Sequence, residues 1–167
     1  MSQEELKMGE YDLIVSMTDT NGHITYVNDI FCKFAEYEYF EVMGQPHNMI
    51  RHPDMPKAVF QLLWNRMREG IPLFAFVKNK TKNDNYYWVK AFVFPIMKNG
   101  QLSKIVSYRK RIDEFAKQQV SAIYADLMNY ESSHTPEESL NYLINNLKEK
   151  GLSYDQAIDQ ISLGKSI

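Results

Sequence analysis

The segment from Tyr86 to Ile96 constrains the fold of this chain most strongly, because its alternating side chains are largely apolar on both faces. The odd positions hold Tyr87, Val89, Ala91 and Val93, and the even positions hold Tyr86, Trp88, Phe92 and Phe94. Since successive strand residues point to opposite faces, this pattern predicts a strand that is internal to its sheet and covered on both faces. Turn sequences precede and follow it, at Asn83-Asp84-Asn85 and Lys98-Asn99-Gly100.

Four further segments have the composition of strands. Two of them, Leu73 to Lys80 and Leu102 to Tyr108, adjoin the first strand in sequence. The other two, Tyr11 to Met17 and Ile24 to Val27, form a predicted hairpin around Asn21-Gly22, whose residues tolerate positive φ. Helical segments separate the two groups, so the order predicts an α+β fold, a five-stranded antiparallel sheet with helices on one face.

Between the two groups of strands, the sequence predicts short helices and one longer helix. Asn28 or Asp29 can cap the first short helix, and Asp54 can cap the longer one, which ends at Gly70. The apolar residues of the longer helix recur at helical spacing, at Met55, Val59, Phe60, Leu63, Trp64 and Met67. Such a stripe favours core packing over a cofactor site.

After Ile112 the pattern becomes helical to the end of the chain. A heptad-like seam is formed by Ala116, Val120, Ile123, Leu127 and Tyr130, and it is shorter than the seam of a firm coiled coil. Capping-box sequences at 135–138 and 153–156 begin two further helices. They predict a helical hairpin at the C-terminus.

Composition and charge argue against several classes of function. With 167 residues and a formal net charge of -2, the chain has no basic field for phosphates, so we expect no nucleic-acid partner. No apolar run approaches the about 20 residues of a membrane span, and the N-terminus lacks a signal-peptide core, so we expect a soluble, cytoplasmic protein without direct membrane insertion. The single Cys32 cannot form an internal disulfide, and His23, His47 and His52 lack metal-site spacing. No nucleophile with a neighbouring base stands out, so we predict neither an enzyme nor a metal site.

Three stretches resemble the PAS domain of bacterial aerotaxis and energy-taxis receptors. They are Gln-Pro-His-Asn-Met-Ile-Arg-His-Pro-Asp-Met-Pro at 45–56, Val-Lys-Asn-Lys at 77–80 and Tyr-Tyr-Trp-Val at 86–89. The resemblance runs from about Tyr11 to about Arg111. It implies a PAS fold, extended here by a C-terminal helical tail, and a non-covalently bound FAD whose redox state is the signal.

The resemblance also suggests how the chain is organised. Residues 1–10 are interpreted as an N-terminal cap or a disordered segment, 11–112 as the PAS sensor domain, 113–131 as a signalling or connector helix, and 132–167 as a helical hairpin tail. Receptors of the family carry a membrane anchor and a signalling domain on the same chain. A stand-alone form therefore implies a separate membrane-bound chemotaxis transducer as partner, through which the protein would associate with the membrane. A homodimer remains open.

By motif, the family's flavin pocket falls on Asn28, Arg51, His52, Asp54, Phe60 and Asn79. Arg51 could give the phosphates a bidentate, charged contact just before a helix N-terminus. Asn28 and Asn79 could both donate to and accept from the edge of the ring. Five of these residues also have a structural alternative. Asn28 and Asp54 could be helix caps, and His52 a packed or surface histidine. Asn79 could end a ladder, and Arg51 could pair with Asp54 or Glu41.

The sequence departs from the family's pattern in two places. Leu73 follows Gly70-Ile71-Pro72 where the family often has Trp, and Ala35-Glu36-Tyr37 stands where it has Ser-Gly-Tyr. Taken as a whole, the resemblance predicts a redox and energy-taxis sensor that binds FAD and signals to a separate transducer. Two alternatives stay open: a cofactor-free PAS interaction module with Leu73 and Phe76 filling the pocket, or a sensor of haem or another small ligand.

Overall fold

The computed structural model describes residues 3–167, which form one sheet and six α-helices. The strands are β1 (Ile14–Thr18), β2 (Ile24–Val27), β3 (Leu73–Lys80), β4 (Tyr86–Lys98) and β5 (Gln101–Arg111). The helices are α1 (Asp29–Ala35), α2 (Tyr39–Val42), α3 (Lys57–Glu69), α4 (Glu114–Glu131), α5 (Pro136–Glu149) and α6 (Tyr154–Ser162), with a 3-10 turn at His47–Ile50.

The predicted five-stranded antiparallel sheet is confirmed, with the strand order β2-β1-β5-β4-β3. β4 lies between β3 and β5, as its two apolar faces predict, and pairs Val89 with Val77 and Val93 with Ser107. β1 begins later than predicted, because the side chain of Asp12 accepts a hydrogen bond from the Gly9 N–H at 2.7 Å and forms a turn there. β5 continues to Arg111, three residues beyond the predicted end.

The prediction that β4 is covered on both faces is wrong for its second half. At its start, Trp88 is buried and stacks on Tyr124 of α4, with ring centroids 6.3 Å apart. Further along, the same face carries Phe92, which stacks on Phe74 at 4.6 Å, and Phe74 is 42% exposed. The difference arises because α4 covers this face only near the start of β4.

Asn28 is the cap of α1, as predicted. Its side-chain oxygen accepts from the N–H groups of Phe31 at 3.1 Å and Val15 at 3.0 Å, and its amide donates to the Leu13 carbonyl at 2.8 Å. This one side chain therefore starts α1 and also holds it against the beginning of β1.

The prediction that Asp54 caps the longer helix is wrong. α3 begins at Lys57 after Pro56, which has no side-chain group to accept from the first N–H groups. Those of Lys57 and Ala58 donate instead to the carboxylate of Glu131, at 2.9 and 2.8 Å. The acceptor comes from the far end of α4, so it could not be recognised from the sequence near Asp54. The predicted end at Gly70 is confirmed, with φ 76°.

The C-terminal helices pack against β3 and α3. Tyr124 of α4 donates to the Phe76 carbonyl at 2.5 Å, and Tyr154 of α6 donates to the Phe74 carbonyl at 2.9 Å. The heptad-like seam points into the same apolar cluster, where Leu127 is 1% exposed. The seam therefore packs within this chain and shares a core with α3.

Replacing Asn28 tests how much this cap contributes to stability. We expect Asn28→Ala to lower the free energy of unfolding by about 2 kcal/mol, because it removes a helix cap and leaves partly buried backbone groups without partners. Urea denaturation measures the loss. The matched control is Asp29→Asn at the neighbouring exposed position, which should stay within about 0.5 kcal/mol of the unchanged protein. Equal losses in both variants would contradict this role.

Candidate ligand-binding site

A cavity of about 180 Å³ lies between α3, the segment around the 3-10 turn, and the inner face of the sheet. Its floor consists of alternate strand residues, Ser16, Thr18, Val77, Asn79, Ala91, Val93, Ile105, Ser107 and Arg109. Its opposite wall and rim include Asn21, Gly22, Pro46, His47, Asn48, Ile50, Arg51, Phe60, Leu63 and Trp64. Space exists because short side chains occupy the middle of the floor, where Ala91, Val93 and Ser107 lie on neighbouring strands.

Phe60, Leu63 and Trp64 face the cavity together because residues three and four apart share one side of a helix. The remaining residues of the predicted apolar stripe are core: Met55, Val59 and Met67 are at most 4% exposed. The stripe thus has two roles, with its central aromatic residues lining the cavity.

Three of the six predicted site residues meet at this cavity: Arg51, Phe60 and Asn79. The guanidinium of Arg51 lies 3.5 Å from the centroid of the Phe60 ring, and the backbones of Arg51 and Asn79 pair in an antiparallel bridge. Arg51 Nε and Asn79 Nδ2 are buried donors without a partner in residues 3–167. Such donors are rare in folded proteins unless a bound molecule or water accepts from them.

The other three predicted residues lie elsewhere. Asn28 caps α1, as described above. His52 is buried against Tyr86, with ring centroids 6.0 Å apart, and its Nδ1 accepts from the Asp54 N–H at 3.0 Å. Asp54 is exposed and forms an ion pair with Lys78 at 2.7 Å, and this hydrogen bond lowers the pKa of its carboxyl. The site around Arg51 therefore includes neither His52 nor Asp54.

The alternative pairing of Arg51 with Asp54 or Glu41 is absent from the ion pairs of the described chain. Asp54 is engaged by Lys78 as above, and Glu41 is engaged by Lys82 at 2.5 Å. The positive charge of Arg51 is therefore free to face the cavity.

Arg109 is a cavity residue that the sequence reasoning missed. It is 3% exposed, donates to Ser16 Oγ at 2.7 Å and to Ser107 Oγ at 3.0 Å, and also contacts His47 Nε2. Its second terminal nitrogen has no partner, and no carboxylate in residues 3–167 forms an ion pair with it. A buried guanidinium held only by neutral groups keeps its positive charge and favours an anionic or acceptor-rich partner.

A signal for Arg109 was present in the sequence. Ile105, Ser107 and Arg109 alternate on one face of β5, but the predicted strand ended at Tyr108 and left the arginine outside it. The sequence pattern offered for His47 only the role of a metal ligand, which its spacing did not support. With the contact to Arg109, its Nε2 is an acceptor, which is the role of a neutral imidazole.

The electrostatics of the cavity keep His47 neutral. Burial, and then the positive charge of Arg109, hold the pKa of His47 well below its ordinary value of 6.5. The cavity thus combines apolar walls, two guanidiniums and several unpartnered donors. This set suits a flat ligand that carries hydrogen-bond acceptors and negative charge.

Leu73 is 1% exposed within the apolar cluster of α3 and the tail, and it does not line the cavity. The change from the family's Trp at this position therefore leaves the cavity wall intact, since Trp64 provides a large aromatic there. Phe76 likewise packs in the cluster beneath α4. The proposed filling of the cavity by Leu73 and Phe76 does not occur.

Within residues 3–167 there is no cluster of His, Cys, Asp or Glu suited to a metal ion. None of the helices in this part of the chain has the length and apolar character needed to cross a bilayer.

The fold is that of a PAS-type sensor domain. The PAS fold family matches residues 24–109, about half of the chain, and the chain belongs to this family. It is 37% identical over 127 residues to the aerotaxis receptor of Escherichia coli strain K12, an alignment that covers 76% of this chain and 25% of the receptor. The chain therefore spans about a quarter of that receptor's length.

More distant similarities agree with the fold. The nitrogen fixation regulatory protein of Klebsiella pneumoniae is 22% identical over 99 residues, covering 59% of this chain and 20% of that protein. The dark structure of the blue-light photoreceptor Aureochrome1 LOV superposes with a TM-score of 0.56 at 18% identity, covering 71% of this chain and 86% of that one. The structural likeness agrees with the predicted PAS fold. The resemblance to the aerotaxis receptors is confirmed by the 37% identity to the receptor of Escherichia coli.

The lowered pKa of His47 makes stability depend on pH. Below its ordinary value of 6.5 the unfolded chain binds a proton that the folded chain does not, so the free energy of unfolding falls as the pH falls. We expect a loss of up to about 1.4 kcal/mol per pH unit between about pH 6.5 and about pH 5. Urea denaturation across this range should show a shallower dependence for His47→Gln than for the unchanged protein. Parallel curves for the two proteins would contradict the neutral state of His47.

Proposed function

We propose that this chain is a redox and energy-taxis sensor that binds FAD in the cavity and signals to a separate membrane-bound chemotaxis transducer. The observation that carries the proposal is the group of buried donors at the cavity: Arg51 Nε, Asn79 Nδ2 and one terminal nitrogen of Arg109 lack partners in the described chain. An isoalloxazine ring presents carbonyl oxygens and nitrogens that accept from such donors.

The residues around the cavity fit a flavin ring. Phe60, Leu63 and Trp64 provide an apolar wall on one side, and Ala91 and Val93 provide a flat floor on the other. Asn79 and Arg109 supply donors at the edge of this slot, while Arg51 supplies a cation close to α3. A cavity of about 180 Å³ is smaller than the about 300 to 1,000 Å³ of typical ligand pockets, so the adenosine diphosphate half of FAD would lie outside it.

A bound flavin would supply a ring whose charge and protonation change on reduction. Arg109, which is buried and lines the cavity, would stabilise added negative charge on the ring, because no carboxylate in residues 3–167 forms an ion pair with it. Neutral His47 accepts from Arg109 and fixes the direction of its donors. Two ligand states with different hydrogen-bond needs would therefore favour different positions of these side chains, as a switch requires.

The similarity to the aerotaxis receptor supports a role in taxis signalling. We further propose that a separate membrane-bound transducer receives the signal, and that this sensor works in the cytoplasm and reaches the membrane through that partner. Homodimerisation is compatible with this proposal. We propose a signalling role for this chain and no catalytic one.

The visible spectrum of the purified protein tests the cofactor. We expect flavin absorbance that bleaches on reduction, and release of FAD on heat denaturation, identified by chromatography. A Soret band would replace this proposal with a haem sensor. A colourless protein that does not take up added FAD, yet still binds a transducer, would leave a cofactor-free interaction module.

Arg109→Gln tests the electrostatic part of the proposal. Removing the buried positive charge should lower the midpoint potential of bound FAD by about 30 to 60 mV, since 30 mV corresponds to about 1.4 kcal/mol for two electrons. The matched control is Lys110→Gln, which removes the same charge from the neighbouring exposed position. Redox titration followed by absorbance measures both. An unchanged potential in Arg109→Gln would show that this residue does not face the ring.

Arg51→Ala should lower FAD occupancy more than Asp54→Ala, because Arg51 lines the cavity and Asp54 is exposed beside Lys78. The flavin-to-protein absorbance ratio of each purified variant measures occupancy. Full occupancy in both variants would remove Arg51 from the binding site.

A further inference from the structure

The C-terminal helices hold the start of α3. The carboxylate of Glu131, the last residue of α4, accepts from the N–H groups of Lys57 at 2.9 Å and Ala58 at 2.8 Å. Ser139 of α5 is fully buried and donates to the same carboxylate at 2.9 Å. Because Pro56 has no side-chain acceptor to offer, α3 depends on the tail for its N-terminal cap.

The C-terminal helices also hold the other end of α3. Arg66 donates to both carboxylate oxygens of Asp155 in α6, at 2.7 and 2.9 Å. The same guanidinium donates to the Pro72 carbonyl at 3.2 Å. Arg66 therefore joins the end of α3, the start of α6 and the segment leading into β3.

The cavity wall lies between these two attachments. Phe60 lies within one turn of the two amides that donate to Glu131, and Trp64 lies two residues before Arg66. Phe60 also stacks on the guanidinium of Arg51, so a shift of α3 would displace a cationic group of the cavity as well as its wall. The position of this wall thus depends on contacts made by residues of α4 and α6.

We infer that Glu131 and Asp155 are positioning residues for the ligand cavity, and that docking of the C-terminal helices and binding of the ligand are coupled through α3. This inference rests on the proposed function. By reciprocity, each state of the ligand that moves α3 changes how firmly the tail is docked. The docking of the C-terminal helices then depends on which ligand state fills the cavity, although no residue of these helices lines it.

Glu131→Gln and Asp155→Asn in the full chain test the inference. Each should raise the dissociation constant of FAD by about tenfold, within the range of typical coupling between sites. The matched control is Tyr142→Phe, which removes a hydrogen bond to Asp126 at 3.0 Å within the tail and touches no residue of α3 through its hydroxyl. It should leave FAD affinity unchanged. If Glu131→Gln does not fold, Asp155→Asn, at an exposed position, decides the question.

Amide hydrogen exchange gives a second measurement that needs no ligand. In Glu131→Gln, the amides of residues 57–64 should exchange at least tenfold faster, whereas in Tyr142→Phe they should match the unchanged protein. Unchanged FAD affinity and exchange in the first variant, or equal changes in both variants, would overturn the inference. If the unchanged protein binds no FAD, the proposed function fails, and the exchange rates alone decide whether the tail positions α3.

Discussion

A guanidinium buried without a carboxylate partner is the interaction on which the site depends. Arg109 is held by Ser16, Ser107 and His47, all neutral, and one of its donors has no partner among residues 3–167. Leaving a charge in this state is costly for a folded protein unless another molecule compensates it. Arg109 lies where short side chains of the sheet leave space for a cavity. A ligand bound in that cavity could compensate the buried charge.

The same constraint accounts for the state of His47. A histidine beside a buried cation is pushed towards its neutral form, and a neutral Nε2 can then accept from Arg109. The pair is self-consistent with a neutral imidazole, whose single ring proton then lies on Nδ1. Protonation would place two positive charges side by side in the cavity wall, which is why acid should weaken the fold.

Local sequence rules predicted the elements of this protein well and their mutual contacts poorly. β3 matches its predicted bounds because a turn and Pro72 delimit it, and the cap at Asn28 was visible because cap and helix are adjacent in sequence. Arg51, Phe60 and Asn79 came from a resemblance. Arg109 was missed because the predicted strand ended at Tyr108, one residue before it and three residues before the end of β5. Glu131 was missed because its partners lie 73 and 74 residues away.

The residue that caps α3 has the largest consequence for how the protein works, because it is Glu131 of α4 and not the predicted Asp54. Had Asp54 capped the helix, the tail would have joined α3 only through apolar packing and the Arg66–Asp155 ion pair. With Glu131 as the acceptor, the first amides of α3, the helix that forms one wall of the cavity, donate to α4, and Ser139 of α5 donates to the same carboxylate. A signal from the cavity then needs no path through the whole sheet, because one helix already connects the ligand side chains to the surface formed by the tail.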